Sequence, residues 1–367
     1  MSQNLVTIRI NHQTLAAALA ASAVVMFSAP AWALDLSIYG VGHLSADGID
    51  TDSSSSSYFH SNSSRLGFKG SHDLGNGLSA VVQYESGVDL AGNGTGDGNG
   101  AATSNGQIFT RARDSFVGVK GGFGTVRFGR LPALNQWVYD YNLFGDQVGD
   151  LGNIWGGDGL PGRLDHAAQY RTLDFGGFAL GLSFAPNQGS SNTRVYIVKA
   201  DYAGGGFKLG GAYGNFGQGA GKSNQKAAAI TASYDFGAFN LGGGWQRETD
   251  IGGTAGADRN KYTLGAAIKA GGSGLVKVQY AQANDLKNTS STGAKQWAAG
   301  YDHVWDKNIT LYIAYAKTKN DTNAMNYTAY DWGHGDQGVP GLTTGGLSPS
   351  AISVGIVYKF EVSLLPR

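Results

Sequence analysis

Read for chemistry, this sequence offers few side chains arranged for making or breaking bonds. It has no cysteine, so it carries neither a thiol nucleophile nor a disulfide framework. His43, His72, His166 and His303 match no metal-ligand spacing. No serine sits in a nucleophile elbow, and no Ser–His pair at a rim supports a lipase-like barrel. The glycine-rich turns lack the lysine and the strand-to-helix context of a phosphate loop. Gly92 to Gly100, GNGTGDGNG, has the glycine–aspartate character of a calcium-binding repeat, but it occurs once where such an array repeats many times. No cofactor, no metal and no enzymatic activity are therefore expected. What remains is charge. Acidic and basic side chains facing each other across a narrow opening set up a transverse field, and rings of charge bias which ions enter it.

The first residues set the compartment. Arg9 is the only formal charge before an apolar run from Leu15 to Phe27, which is followed by Pro30 and the small-residue site Ala31-Trp32-Ala33. That order describes a secretory signal peptide over residues 1–33. The run is shorter than the ~20 residues that cross a bilayer as a helix. Without Arg9, 26 Lys and Arg stand against 27 Asp and Glu (27 − 1 against 27), a near-neutral balance that gives nucleic-acid binding no support. Glycine and tyrosine are abundant and proline is scarce. Mean hydropathy is slightly polar, which is compatible with a barrel in which only alternate residues face lipid.

Period two is the strand signature, and it recurs along the chain. Ile352, Val354, Ile356, Tyr358 and Phe360 share one face, opposite Ser353, Gly355, Val357 and Lys359. Phe178, Leu180, Leu182 and Phe184 oppose Ala179, Gly181 and Ser183. Connections alternate between tight turns, such as Gly75-Asn76-Gly77 and Gly204-Gly205-Gly206, and long ones: the serine run after Asp50, the stretch after Leu90, and Asn320 to Ser350. Tight turns on one rim and long loops on the other describe an outer-membrane barrel, here of about sixteen strands. Aromatics near strand ends, including Tyr39, Phe68, Phe123, Phe175, Phe236, Phe239 and Tyr358, suit interfacial girdles. The expected fold is an all-β, transmembrane, antiparallel β-barrel over residues 34–360, with an atypical C-terminal extension at 361–367.

Specific motifs add a resemblance. SRLGFKGSHDLGNGLSAVVQYESG (Ser64 to Gly87), RDSFVGVKGGFGTVRFGR (Arg113 to Arg130), the opening SIYG (Ser37 to Gly40) and the closing VGIVYKF (Val354 to Phe360) are similar to strands of the Gram-negative general porins, in that family's order. The resemblance implies a homotrimer of sixteen-stranded barrels in the outer membrane, among lipid and lipopolysaccharide. It implies a third loop, roughly Leu131 to Gly162, that folds inward and narrows the pore. Trp155 to Gly159, WGGDG, resembles that loop's tip, and the loop carries Asp140, Asp146, Asp150 and Asp158. Arg65, Arg113 and Arg163 match the family's basic wall cluster. Alternation also turns Arg65 inward, opposite Leu66 and Phe68, and Arg113 inward, opposite Phe116 and Gly118. Phe360 matches the terminal aromatic read by the barrel assembly machinery, although EVSLLPR follows it here. Ile154 stands where many relatives have an acid.

The implied function is passive diffusion of small hydrophilic solutes and ions. A substrate-preferring porin, a barrel enzyme and a secreted structural adhesin are the competing readings. Planar-bilayer conductance separates the channels from the last two. The cleavage site carries its own test: N-terminal sequencing of protein from the membrane fraction is expected to begin at Leu34, and material still beginning at Met1 would contradict the signal-peptide assignment.

Overall fold

The computed structural model describes residues 34–91, 109–134, 140–324, 327–334 and 341–364. The signal-peptide assignment at 1–33 and the Gly92 to Gly100 motif lie outside them.

Sixteen antiparallel strands make up the described fold. They are β1 (Leu34–Asp50), β2 (Ser55–Ser61 and Arg65–Gly75), β3 (Leu78–Val88), β4 (Phe109–Ala112 and Ser115–Gly121), β5 (Gly124–Pro132), β6 (Arg163–Arg171), β7 (Phe178–Ala185) and β8 (Val195–Gly204). Then come β9 (Phe207–Phe216), β10 (Gln225–Asp235), β11 (Phe239–Thr249), β12 (Arg259–Ala270), β13 (Gly274–Ala283), β14 (Ala294–Val304), β15 (Ile309–Asn320) and β16 (Ser350–Ser363). Two strands are interrupted. β2 breaks at residues 62–64, yet both halves pair with β1; β4 breaks at 113–114, yet both halves pair with β3. Each strand pairs with its sequence neighbour, and β16 returns to β1 in a register running from Ser37↔Ser363 to Asp50↔Ser350. The sheet is closed, as a lipid-embedded sheet must be, because an open edge would leave backbone N–H and C=O groups without partners.

Alternation sorts side chains between two environments. Leu264 is 66% exposed, Val117 60% and Val354 56%, while inward Ser353, Thr231 and Gln279 are buried. An apolar belt that would be unstable in water is the lipid-facing surface of a barrel. Aromatics crowd the tight-turn rim, where Phe207, Tyr234, Phe236 and Phe239 pack in succession with ring centroids 4.4–4.6 Å apart. Two of the tight turns show why their residues are chosen. Asn76 and Gly77 have φ of 53° and 75°, and Gly205 and Gly206 have 58° and 86°. Two successive left-handed residues make the hairpin turn whose twist matches its strands, and asparagine and glycine adopt it at least cost.

Four details depart from the sequence reading. Ser55 to Ser57 of the serine run belong to β2, and the first connection is only residues 51–54. Tyr39 is not in a girdle: it faces the lumen over Gly67, and its hydroxyl donates to Glu85 Oε2 at 2.9 Å. β16 runs through Ser363 and does not stop at Phe360, and Glu361 reaches Lys69 at 2.7 Å. Finally, Phe116 is lumenal, beneath the Arg127 guanidinium at 5.0 Å, while Val117 and Val119 face outward. The alternation argument used for Arg113 therefore started from the wrong face.

Neighbouring residues on β3 test the assignment of faces. Val82 faces outward on the same side as exposed Tyr84, whereas Gln83 is half-buried on the opposite side, paired with Lys69. Val82→Lys should cost about 2–4 kcal/mol of folding free energy in bilayers, and Gln83→Lys well below that. Equal costs in a refolding titration would mean that the register is misassigned.

Candidate functional site

The described part of the connection between β5 and β6, residues 133–134 and 140–162, does not arch away from the barrel. It turns into the lumen and is pinned there, beginning and ending where Ala133 N–H donates to Gly162 C=O at 3.1 Å. A single helical turn, α1 (Gly152–Trp155), lies within it. The wall of β11 to β15 is shaped to receive this loop. The Tyr141 ring occupies the space beside Gly242, Phe144 lies against Gly300, and the Trp155 ring reaches Gly244; a Cβ at any of the three would collide. Small inward residues thus do a definite job: they let a loop rich in aromatics sit flat on the barrel wall. Phe144, Val148, Leu151, Ile154 and Trp155 are almost completely buried as a result. At ~25 cal/mol per Å2 of apolar area, burying one such side chain contributes about 1.5–3 kcal/mol.

Polar contacts fix the register of the loop. Tyr141 Oη donates to Gly265 C=O at 2.8 Å, and Lys277 Nζ donates to Gln147 Oε1 at 3.0 Å. The α1 end is held more tightly. Lys261 Nζ lies 2.7 Å from both Asp158 Oδ2 and Glu248 Oε1 and donates to Trp155 C=O at 2.9 Å. A buried lysine shared by two acids and a carbonyl is anchored, since removing either acid would leave charge unpaired at a buried site. Trp332 N–H and Asp331 N–H, from the β15–β16 connection, donate to Asn153 Oδ1 at 2.8 and 3.1 Å. A second extracellular segment therefore caps the first.

The four aspartates occupy different environments. Asp146 is partly open and lies 3.8 Å from Arg65 Nη1 across the lumen. Asp140 pairs with Lys199 at 2.7 Å on the wall. Asp158 is inside the Lys261 cluster. Asp150 does not face the opening at all: it has no exposure and accepts from Asp146 N–H, Gly152 N–H and Asn142 Nδ2 at 2.7–2.8 Å. Burial, reinforced by the nearby Asp146 charge, pushes its carboxyl up to about 8. Its place is inside the loop, closing the turn on which Asp146 is presented.

The arginines stand on the opposite wall. Arg65 begins the second half of β2, immediately after the break, where Ser63 has φ of 49° and Ser64 Oγ takes a ladder position against His43 N–H at 3.0 Å. Arg113 is itself in the β4 break. Such irregularities re-aim side chains, which is how Arg113 comes to donate from Nε to Glu85 Oε1 at 2.7 Å. Arg163 Nε donates to Asp114 Oδ1, in the same break, at 2.6 Å. Glu85 and Asp114 were not singled out in the sequence, and neither was Arg127, which donates to Gln169 and covers Phe116 without a carboxylate partner among the described residues. Their signal was faint: Glu85 and Arg127 are isolated charges on strands mostly small or apolar, and Asp114 lies in a strand break.

Asp150 also implies a pH dependence. A carboxyl whose folded value lies above its unfolded one contributes stability that is complete below the ordinary carboxylate range and lost as pH rises toward about 8. The temperature of the heat-induced mobility shift should therefore fall between pH 5 and pH 9. Asp150→Asn should flatten that slope at a lower overall level, because Asp146 N–H and Gly152 N–H donate to different oxygens of Asp150 and an amide has only one acceptor oxygen. An unchanged slope would remove Asp150 from this role.

Comparison with known proteins completes the description. A family model described as Gram-negative porin matches residues 16–323. Major outer membrane protein P.IB of Neisseria gonorrhoeae is 37% identical over 164 residues, 42% of each chain. The protein of the same name from Neisseria lactamica is 30% identical over 182 residues, 47% of this chain and 49% of that one. The matched stretch thus spans less than half of these curated relatives. Among solved structures, an anion-selective porin from Comamonas acidovorans superposes with a TM-score of 0.72 at 27% identity, over 89% of this chain and all of that one. Salmonella typhi OmpF in complex with daunomycin gives 0.62 at 19% identity, over 89% of this chain and 97% of that one, a likeness of fold.

Proposed function

Because this chain belongs to the Gram-negative porin family, we propose that it is a water-filled diffusion channel of the outer membrane, passing small hydrophilic solutes and ions with a preference for anions. One observation carries this reading: a closed sixteen-stranded barrel has its lumen narrowed by an inward loop whose Asp146 faces a wall of arginines. The protein works as a homotrimer, placed by the barrel assembly machinery among lipid and lipopolysaccharide. It is a channel and not a catalyst, with permeation set by width and field.

The sign of the preference follows from which charges can act on a passing ion. On the wall facing the loop stand Arg65, Arg113, Arg127 and Arg163, and close to them Glu85, Asp114 and Asp146. Four positive charges against three negative leave one in excess. Asp150 is buried, and Asp158 is neutralised by Lys261 and Arg259. Pairing also matters, because Arg127 is the arginine of this wall without a carboxylate partner among the described residues. The related Comamonas acidovorans porin is described as anion-selective, which agrees with the excess.

Zero-current potentials across a salt gradient test the model. Arg127→Gln should move selectivity toward cations, Arg113→Ala should do the same, and Asp146→Asn should move it toward anions. All three shifts should shrink as salt rises, since the Debye length falls from ~10 Å at 0.1 M to ~3 Å at 1 M. If correctly inserted trimers of these variants keep the parent selectivity at low salt, these charges do not govern permeation, although the barrel stands.

A further inference from the structure

Away from the arginine wall, the barrel encloses a second polar cluster. Asp47 of β1 and His60 of β2 meet across the sheet, with Nδ1 and Oδ2 2.6 Å apart. His334 arrives from the β15–β16 connection and places Nε2 3.1 Å from the same oxygen. One donor atom from each of the three lies within 4.8 Å of the others, and all three residues are buried. We infer that Asp47, His60 and His334 form a binding site for a zinc-class divalent cation, which ties the 327–334 segment to the barrel wall.

Two imidazoles and a carboxylate are a suitable donor set for zinc, whose bonds to nitrogen and oxygen are about 2.0–2.2 Å, placing tetrahedral ligands roughly 3.3 Å apart. The observed 2.6 and 3.1 Å separations need only a small expansion to admit the ion. Other three-ligand zinc sites complete their coordination with water.

The surroundings favour a cation more directly. His334 Nδ1 is 3.2 Å from Asp146 C=O. A carbonyl can only accept, so Nδ1 carries the proton. In the neutral ring Nε2 then presents its lone pair toward a carboxylate oxygen 3.1 Å away. Two electron-rich atoms in near contact at a buried site repel each other unless a proton or a metal ion sits between them. Asp47 Oδ1 is likewise buried and has no hydrogen-bond partner among the described residues.

The partners beyond the donors are those a metal site needs. A ligating histidine typically gives its other N–H to a carbonyl, and a ligating carboxylate is itself hydrogen-bonded, which fixes both orientations. Here Ser45 Oγ donates to Asp47 Oδ2 at 2.9 Å, and Asn62 Nδ2 donates to Ser45 Oγ at 2.8 Å. The His60 ring stacks on Tyr58 at 5.0 Å. Ser63 Oγ donates to Gly333 C=O at 3.1 Å, seating the incoming segment beside its ligand. Because the third donor comes from a loop, and that loop also caps Asn153, the ion would couple the outer segment, the inward loop and the wall.

Cobalt(II) chloride is the probe, added to the folded full-length protein in detergent near neutral pH. One equivalent should produce the visible d–d absorption of a four-coordinate site, and zinc should displace it. His60→Ala and His334→Ala should each weaken binding by at least about tenfold, the lower end of what even outer-shell losses cost. His303→Ala, near the opposite rim, should leave it unchanged. A parent protein that gives no visible band overturns the assignment whether or not the variants fold. So does a band that survives both His60→Ala and His334→Ala in properly folded barrels, since it would arise elsewhere. Asp47→Asn keeps the shape but loses the anionic ligand, and undiminished cobalt affinity in that variant would also overturn the site.

Discussion

Every feature of this protein follows from the need to pair backbone hydrogen bonds where there is no water. A strand in lipid cannot leave an N–H or C=O unmatched, so the sheet must return upon itself. Here it does so through the β1–β16 ladder. Closure divides each strand into a lipid face and a lumen face. The lipid face must be apolar, and the lumen is then the only place where charge can be kept. The same requirement confines irregular backbone to positions lined by protein or water. That is where the β2 and β4 interruptions lie, and where the inward loop folds.

The lumen is not simply a hole. Its β11 to β15 side is a bed of glycine and alanine that accepts the aromatic residues of the loop, and its β2 to β6 side carries arginines paired with acids. The asymmetry has a physical basis. A loop can be held against a wall by dispersion and apolar burial only where side chains are small enough to let it approach. Charges, by contrast, need open space and water to act on a passing ion. Packing on one side and field on the other therefore divide the cross-section between them. Lys261, shared by Asp158, Glu248 and the Trp155 carbonyl, joins the two by fixing the loop at the height where Asp146 meets Arg65.

The connections at the outer rim extend this logic. The segment carrying Asp331, Trp332 and His334 lies over α1 and reaches back to β1 and β2. The aperture is thus framed by two loops that hold each other. Movement of either would alter the space above the arginines, and the Asp47, His60 and His334 cluster sits at the point where the outer segment meets the barrel.

Much of this was legible in the sequence. Period-two alternation at Phe178 to Phe184 and Ile352 to Phe360 marks the lipid face, because a strand in a barrel has only two sides. The short Asn-Gly and Gly-Gly turns mark one rim, because few other residues adopt their backbone. Alternation turns Arg65 inward for the same reason, and its guanidinium lies 3.8 Å from Asp146. What could not be read depends on contacts between distant parts of the chain. Arg113 lies in a strand break, where alternation loses its meaning. Tyr39 looks like a girdle residue until Gly67 and Glu85 are seen beside it. Asp150 and Asp146 are the same residue type four positions apart, yet one closes a buried turn and the other faces an arginine, a difference set by the fold of the loop. His60 and His334 are 274 positions apart in the sequence (334 − 60). Only closure of the barrel, which brings the last connection against the first hairpin, puts them on one carboxylate.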